Sequence, residues 1–179
     1  MVNGKFSKDW NSDTSLFAFW FGSNEIRSID RNANVTAILE NVENTFFNGI
    51  ETIYQNGARN FLLLNASPVD MYPLNLNGKR NYFKDDVAHF NKAFEVFAKD
   101  FSERHKDANV ILYNLESEYR HIIDNCSDYN FFDCRNNWSQ NKKTQMLEFS
   151  LWSDASHLSY NGNKVIAKDM NDLLSSITK

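Results

Sequence analysis

Glycine is scarce in this chain of 179 residues. The six are Gly4, Gly22, Gly49, Gly57, Gly78 and Gly162, and no two are separated by a single residue. That spacing excludes both the G-x-G-x-x-G turn that holds a dinucleotide and the glycine-rich phosphate loop. Long apolar runs are missing too. The longest, Leu16-Phe-Ala-Phe-Trp-Phe21, is far short of the roughly 20 residues that span a bilayer. Met1 is followed by polar Asn3, Lys5, Ser7 and Lys8, which do not read as a signal peptide. Positive charge is not in excess, since 19 Lys plus Arg against 23 Asp plus Glu leave a net −4. The basic footprint of a nucleic-acid binder is therefore absent, and neither nucleic acid nor membrane is expected as a partner. Two cysteines, Cys126 and Cys134, are too few for a zinc site of their own. They either close a short-loop disulfide or stand as thiols. No metal or cofactor is expected. N-x-S/T occurs at Asn34, Asn65, Asn125 and Asn137, but in a chain this rich in Asn such matches do not establish secretion.

Apolar residues make up 42% of the chain and include 15 Phe, enough for a sizeable core in one ordinary domain. Residues 16–21 read as a strand buried on both faces and ending at Gly22. Val35, Ile38, Leu39, Val42, Phe46, Ile50 and Ile53 follow at steps of three and four, which predicts an amphipathic helix over about residues 31–54. Gly57 ends it, and Phe61-Leu-Leu-Leu64 predicts a second buried strand. A loop with Ser67, Pro68, Pro73 and Gly78 comes next, then the helical stripe Phe83, Val87, Phe90, Phe94, Phe97 and Phe101. Residues 109–113 predict a third strand, 115–123 a short helix, 125–152 an irregular stretch and 160–177 a last helix. Strands alternating with helices imply an α/β domain built on a parallel sheet. Only three strands are evident, and an apolar first strand calls for a neighbour on its other edge.

The residues that carry chemistry cluster near two strand ends. Asp154 and His157 stand three apart in Trp152-Ser-Asp-Ala-Ser-His157, close enough for the carboxylate to accept the imidazole Nδ1 proton. An imidazole oriented in this way serves a hydroxyl nucleophile as general base and then as general acid. After the first strand, Gly22-Ser23-Asn24-Glu25 sets the Asn24 amide where it can stabilise a developing oxyanion. Ser67, after the second strand, is a candidate for lining a substrate pocket. Trp152, with Trp138, is a candidate sugar-facing platform. His89, His105 and His121 read as surface or edge histidines, and Asp85 and Asp86 as a solvated helix start.

Three segments in order carry a resemblance. Phe19-Trp-Phe-Gly22-Ser-Asn24-Glu25-Ile26, Gly57-Ala-Arg-Asn-Phe-Leu-Leu-Leu-Asn65 and Trp152-Ser-Asp154-Ala-Ser-His157 resemble the third block, the fourth core strand and the final D-x-x-H block of the SGNH/GDSL hydrolase superfamily. Within it, the chain is most similar to fungal acetylesterases of carbohydrate esterase family sixteen, from about residue 14 to the end. The resemblance implies a flavodoxin-like three-layer α/β/α fold over residues 1–179 and a Ser-His-Asp ester hydrolase acting on a small-molecule or carbohydrate ester. His157 would be base and acid, Asp154 its orienter and Asn24 an oxyanion donor. The resemblance also favours the disulfide and a secreted protein, and leaves the oligomeric state open.

Two departures matter. Glu25 stands where the family has Asp, and the G-D-S block that carries the nucleophile has no counterpart. Ser23 echoes that block only superficially, because Asn24-Glu25-Ile26 and the long helix after it match the third block better. With the unpartnered first strand, this leads to the expectation of a single hydrolase domain that is truncated at its N-terminus and catalytically feeble by itself. The alternative expectation is a non-catalytic carbohydrate- or partner-binding remnant of the same fold.

Overall fold

The structure is a computed structural model that describes residues 10–76, 82–141 and 146–177. Gly78 of the expected loop and the polar residues that follow Met1 lie outside the described residues. Among those described, residues up to Ser67 and Asp85–Leu115 form one compact unit. The described part of Pro68–Lys84 and the residues from Glu116 onward form the other.

The first unit is a parallel sheet with long helical crossovers. Strands β1 (Leu16–Trp20), β2 (Asn60–Leu64) and β3 (Asn109–Tyr113) lie side by side in that order. Phe17 is in register with Phe61, and Phe61 with Val110. Between β1 and β2 run the short helix α1 (Ser23–Ser28) and the long α2 (Val35–Gln55); α3 (Tyr82–Arg104) precedes β3. Helix α2 starts where Asn34 Oδ1 accepts the Ala37 N–H, satisfying one donor that the first turn leaves over. It ends as a Schellman turn, with Ala58 N–H donating to Ile53 O and Gly57 N–H to Tyr54 O at Gly57 φ 102°.

Phenylalanine supplies the adhesive of this unit. Phe47 stacks on Phe97 at 4.0 Å and Phe46 on Phe94 at 5.6 Å, joining α2 to α3. Phe19 meets Phe46, and Phe61 meets Phe101, joining the sheet to both helices. Full burial of one such ring is worth about 1.5–3 kcal/mol. Phe61 to Leu64 of β2 are all buried, as expected of a central parallel strand.

Strand β1 departs from the expectation that it is buried on both faces. It pairs with β2 alone among the described residues, and its exposure alternates along its length. Leu16 is 44% exposed and Trp20 51%. The period of two turns Phe17 and Phe19 toward the helices and leaves the opposite face open.

Two further expectations are corrected in the same unit. Asp86 is not on a solvated face; it is buried and meets Arg31 at 2.6 Å. His105 is no surface histidine, because its side chain is 12% exposed, lies on the Tyr54 ring and meets Glu51 Oε1 at 2.9 Å.

In the second unit, α4 (Leu115–Asp124) uses Arg120 to hold the Asp70 carboxylate at 3.1 Å and the Glu116 carboxylate at 2.9 Å. The stretch expected to be irregular contains β4 (Asp133–Asn137), α5 (Trp138–Asn141) and β5 (Ser150–Trp152), with β4 and β5 paired in parallel through a register shift. Cys126 and Cys134 are joined in a disulfide, which ties the turn after α4 to β4. The last helix, α6 (Tyr160–Ile177), follows β5 after a tight loop. This mixture of helices with parallel strands is the expected α/β class. Among the described residues, no helix is long and apolar enough to cross a membrane. Nor does any group of three His, Cys, Asp or Glu side chains among them suit a metal ion.

Candidate active site

The turn after β1 is fixed from beneath. Gly22 has φ 107°, a conformation that L side chains rarely adopt. A Cβ there would overlap the Phe90 ring, lying 2.8 Å from its Cζ, so α3 has grown up against bare backbone. The Gly22 N–H donates to Glu25 Oε2 at 3.0 Å, which closes the first turn of α1. Glu25 therefore has a structural task at this position.

Ser23 and Ser67 come together at the carboxyl ends of β1 and β2. Their hydroxyls are 2.9 Å apart, and the Ser67 N–H donates to Ser23 Oγ at 3.1 Å. Ser67 is fully buried, so it braces the turn from inside and offers no open face to a ligand. Asn24, the next residue, is exposed, and its side-chain amide is without an intramolecular partner among the described residues. A donor left unspent in this way is available to a ligand oxygen.

One further residue shapes this rim and was not singled out from the sequence. Asn91 of α3 is buried, accepts the Ala66 N–H at 2.8 Å and donates to Ala66 O at 2.9 Å, clamping the turn that carries Ser67. The available signal was an amide among Phe90, Phe94 and Phe97, where an apolar side chain would otherwise continue the stripe.

The loop after β5 is organised around one carboxylate. Asp154 Oδ1 accepts the backbone N–H of Ser156 and of His157, each at 2.9 Å. The His157 Nδ1 lies 2.9 Å from Asp154 Oδ2. A carboxylate only accepts, so Nδ1 carries the proton and Nε2 keeps its lone pair. Desolvation by itself would raise the Asp154 carboxyl, but the N–H groups of Ser156 and His157 and the imidazole hold it below the ordinary carboxylate range. The imidazole is 75% exposed, so its free nitrogen faces solvent. The Ser153 N–H donates to His157 O and the Ser159 N–H to Leu151 O, which fastens the loop at both ends. Chemically, the pair is an oriented base waiting for a proton.

Trp152 does not serve as a sugar platform. It is fully buried, its indole N–H donates to Cys134 O at 2.9 Å, and the Tyr72 and Tyr119 rings flank it. The neighbouring polar loop suggested exposure, but the disulfide-linked β4 covers it.

Residues 3–170 match the family described as GDSL-like Lipase/Acylhydrolase. The chain belongs to this family. GDSL-like proteins are ester hydrolases, and a curated relative, an acetylesterase of Thermothelomyces thermophilus, is 25% identical over 167 residues. That alignment takes in 91% of this chain and 53% of the relative, so the chain spans about half of the relative's length.

Proposed function

We propose that this GDSL-like chain contributes the base half of an acyl-ester hydrolase active site. In this reading His157 Nε2 takes the proton of a serine hydroxyl as that oxygen attacks the ester carbonyl. It then returns the proton to the departing alcohol. Asp154 keeps the ring in the productive tautomer and stabilises the imidazolium that forms. The Asn24 amide donates to the carbonyl oxygen as it becomes negative. The observation that carries the reading is the Asp154–His157 pair, in which the side chain that holds the ring also holds its loop.

The likeness to the acetylesterase of Thermothelomyces thermophilus supports an acetyl group as the acyl part, and the likeness to carbohydrate esterases supports a sugar as the alcohol. The Cys126–Cys134 disulfide supports an oxidising compartment, in keeping with secretion. The nucleophile is assigned to no residue of this chain. Ser23 has its hydroxyl engaged by Ser67, and the sequence has no G-D-S block, so the reading draws the serine from polypeptide outside residues 1–179. The pairing of β1 with β2 alone among the described residues and the half-length match to the relative support the same view.

Complementation tests this. The chain alone is expected to turn over p-nitrophenyl acetate feebly, since loss of the nucleophile costs a serine protease about 10⁶-fold. Fused to a G-D-S-bearing segment from a family relative, it gains turnover that His157→Ala abolishes. No gain, or a gain indifferent to His157→Ala, overturns the reading. Robust turnover by the chain alone, with covalent labelling of Ser23 by a fluorophosphonate, overturns the assignment of the serine to another segment.

A further inference from the structure

The four N-x-S/T tripeptides of the sequence, at Asn34, Asn65, Asn125 and Asn137, stand in very different surroundings once folded. Asparagine keeps a glycan only where its amide stays in water, because the attached sugar is bulky and strongly hydrated. The transferase meets the chain before it folds. Burial then acts as a filter, since a glycan on an amide that belongs in the interior prevents that amide from being covered. Three of the four do not pass. Asn65, just after β2, is buried, and its Nδ2 donates to Asn114 Oδ1 at 3.0 Å. Asn137 is buried at the end of β4, where its Oδ1 accepts the Gln140 N–H at 3.0 Å and the hydroxyl of its own Ser139 at 2.6 Å. Asn125 is half-buried, donates from Nδ2 to His121 O at 2.8 Å, and precedes Cys126, which the disulfide holds to Cys134.

Asn34 stands apart. Both it and Thr36, the hydroxyl residue of the tripeptide, are exposed at the start of α2. Its Oδ1 is fixed by the Ala37 N–H at 3.2 Å, whereas its Nδ2 has no intramolecular partner among the described residues. The helix cap therefore uses the oxygen and leaves over the nitrogen, which is the atom a glycan takes. An N-linked sugar keeps the amide carbonyl intact, so cap and glycan coexist on one side chain.

We propose that Asn34 is the one N-glycosylation site of this chain in the secretory route. The donor is an oligosaccharide linked to a polyprenyl diphosphate. Asn34 Nδ2 bonds to the anomeric carbon of the sugar and releases one proton. The bond from that carbon to the diphosphate oxygen breaks, and the polyprenyl diphosphate leaves with the electron pair. The proposal rests on the oxidising compartment in the functional reading, but it needs no turnover. The test is expression of the chain behind a yeast secretion leader, with peptide mass spectrometry of the secreted protein before and after endoglycosidase treatment. Modification of Asn34 is expected in most molecules, with Asn65, Asn125 and Asn137 unmodified. Thr36→Ala leaves the capping oxygen in place, and Asn34→Asp puts a carboxylate there to accept the Ala37 N–H. Each is expected to abolish the glycan and its shift in electrophoretic mobility without loss of helix content. Ser127→Ala, at an exposed position, leaves the glycan unchanged. An unmodified Asn34, or a glycan on any of the other three in the secreted protein, overturns the proposal. If secretion fails, the chain retained in the endoplasmic reticulum is measured, and an unmodified Asn34 there overturns it equally. An unmodified Asn34 beside His157-dependent turnover in the complemented enzyme leaves the hydrolase reading standing. A glycan at Asn34 without such turnover does the reverse.

Discussion

Two turns carry the candidate chemistry, and they are held in opposite ways. The turn after β1 is held by packing: a glycine at positive φ lies against Phe90, Glu25 bonds back to it, and the buried Ser67 braces Ser23. The loop after β5 is held by charge, with one exposed carboxylate gathering two backbone N–H groups and an imidazole. A site for an oxyanion needs donors that do not move, because reorganisation during the reaction costs rate. A proton shuttle needs a ring with a fixed tautomer and an open nitrogen. Each turn has the kind of support that its proposed task requires.

The sharpest way to break this contrast is Asp154→Asn. In the complemented enzyme, turnover is expected to fall by about 10⁴-fold, because an amide facing Nδ1 selects the wrong tautomer. Urea unfolding is expected to move by less than about 1 kcal/mol, since the carboxylate is half in water. A loss of folding stability as large as the loss of rate would show that packing governs this loop too. Gly22→Ala should do the opposite. Strain at positive φ and overlap with Phe90 together predict a destabilisation of about 3 kcal/mol, read as a lower urea midpoint. A neutral outcome would remove the claim that the first turn is set by packing.

The smallest effect is in pH. The folded-state pKa of Asp154 is lowered, so its contribution to loop order is complete above the ordinary carboxylate range and disappears as pH falls through the lowered value. The protection factors of the Ser156 and His157 amides, corrected for the intrinsic pH dependence of exchange, should therefore fall on acidification, while that of Ala66, which Asn91 clamps, stays high. A parallel fall at both places would erase the distinction.

How much of this was legible in the sequence follows from how local each feature is. Helices α2 and α3 were readable because their apolar residues recur at helical spacing, and the stop at Gly57 because only glycine closes such a turn cheaply. The Asp154–His157 pair was readable because both partners lie within one turn of chain. The edge position of β1 was not, since LFAFW and FLLL are both wholly apolar and the pattern does not say what lies beside them. Strands β4 and β5 escaped because β4 is polar, β5 is only three residues long and the two pair through a register shift, with order supplied by the disulfide and by Trp152. The burial of Trp152 escaped for the same reason: its cover comes from Cys134, eighteen residues earlier. Nor did anything in the pattern of α3 announce that Asn91 would serve a neighbouring turn rather than the helix.

The open margin of β1 has a consequence for handling the molecule. Among the described residues β1 pairs with β2 alone and carries exposed Leu16 and Trp20, so its other edge offers a template to an extended peptide, including another molecule of the same kind. The protein in isolation should accordingly be least well behaved when concentrated. A strand added to that margin would act as a chaperone as well as a partner.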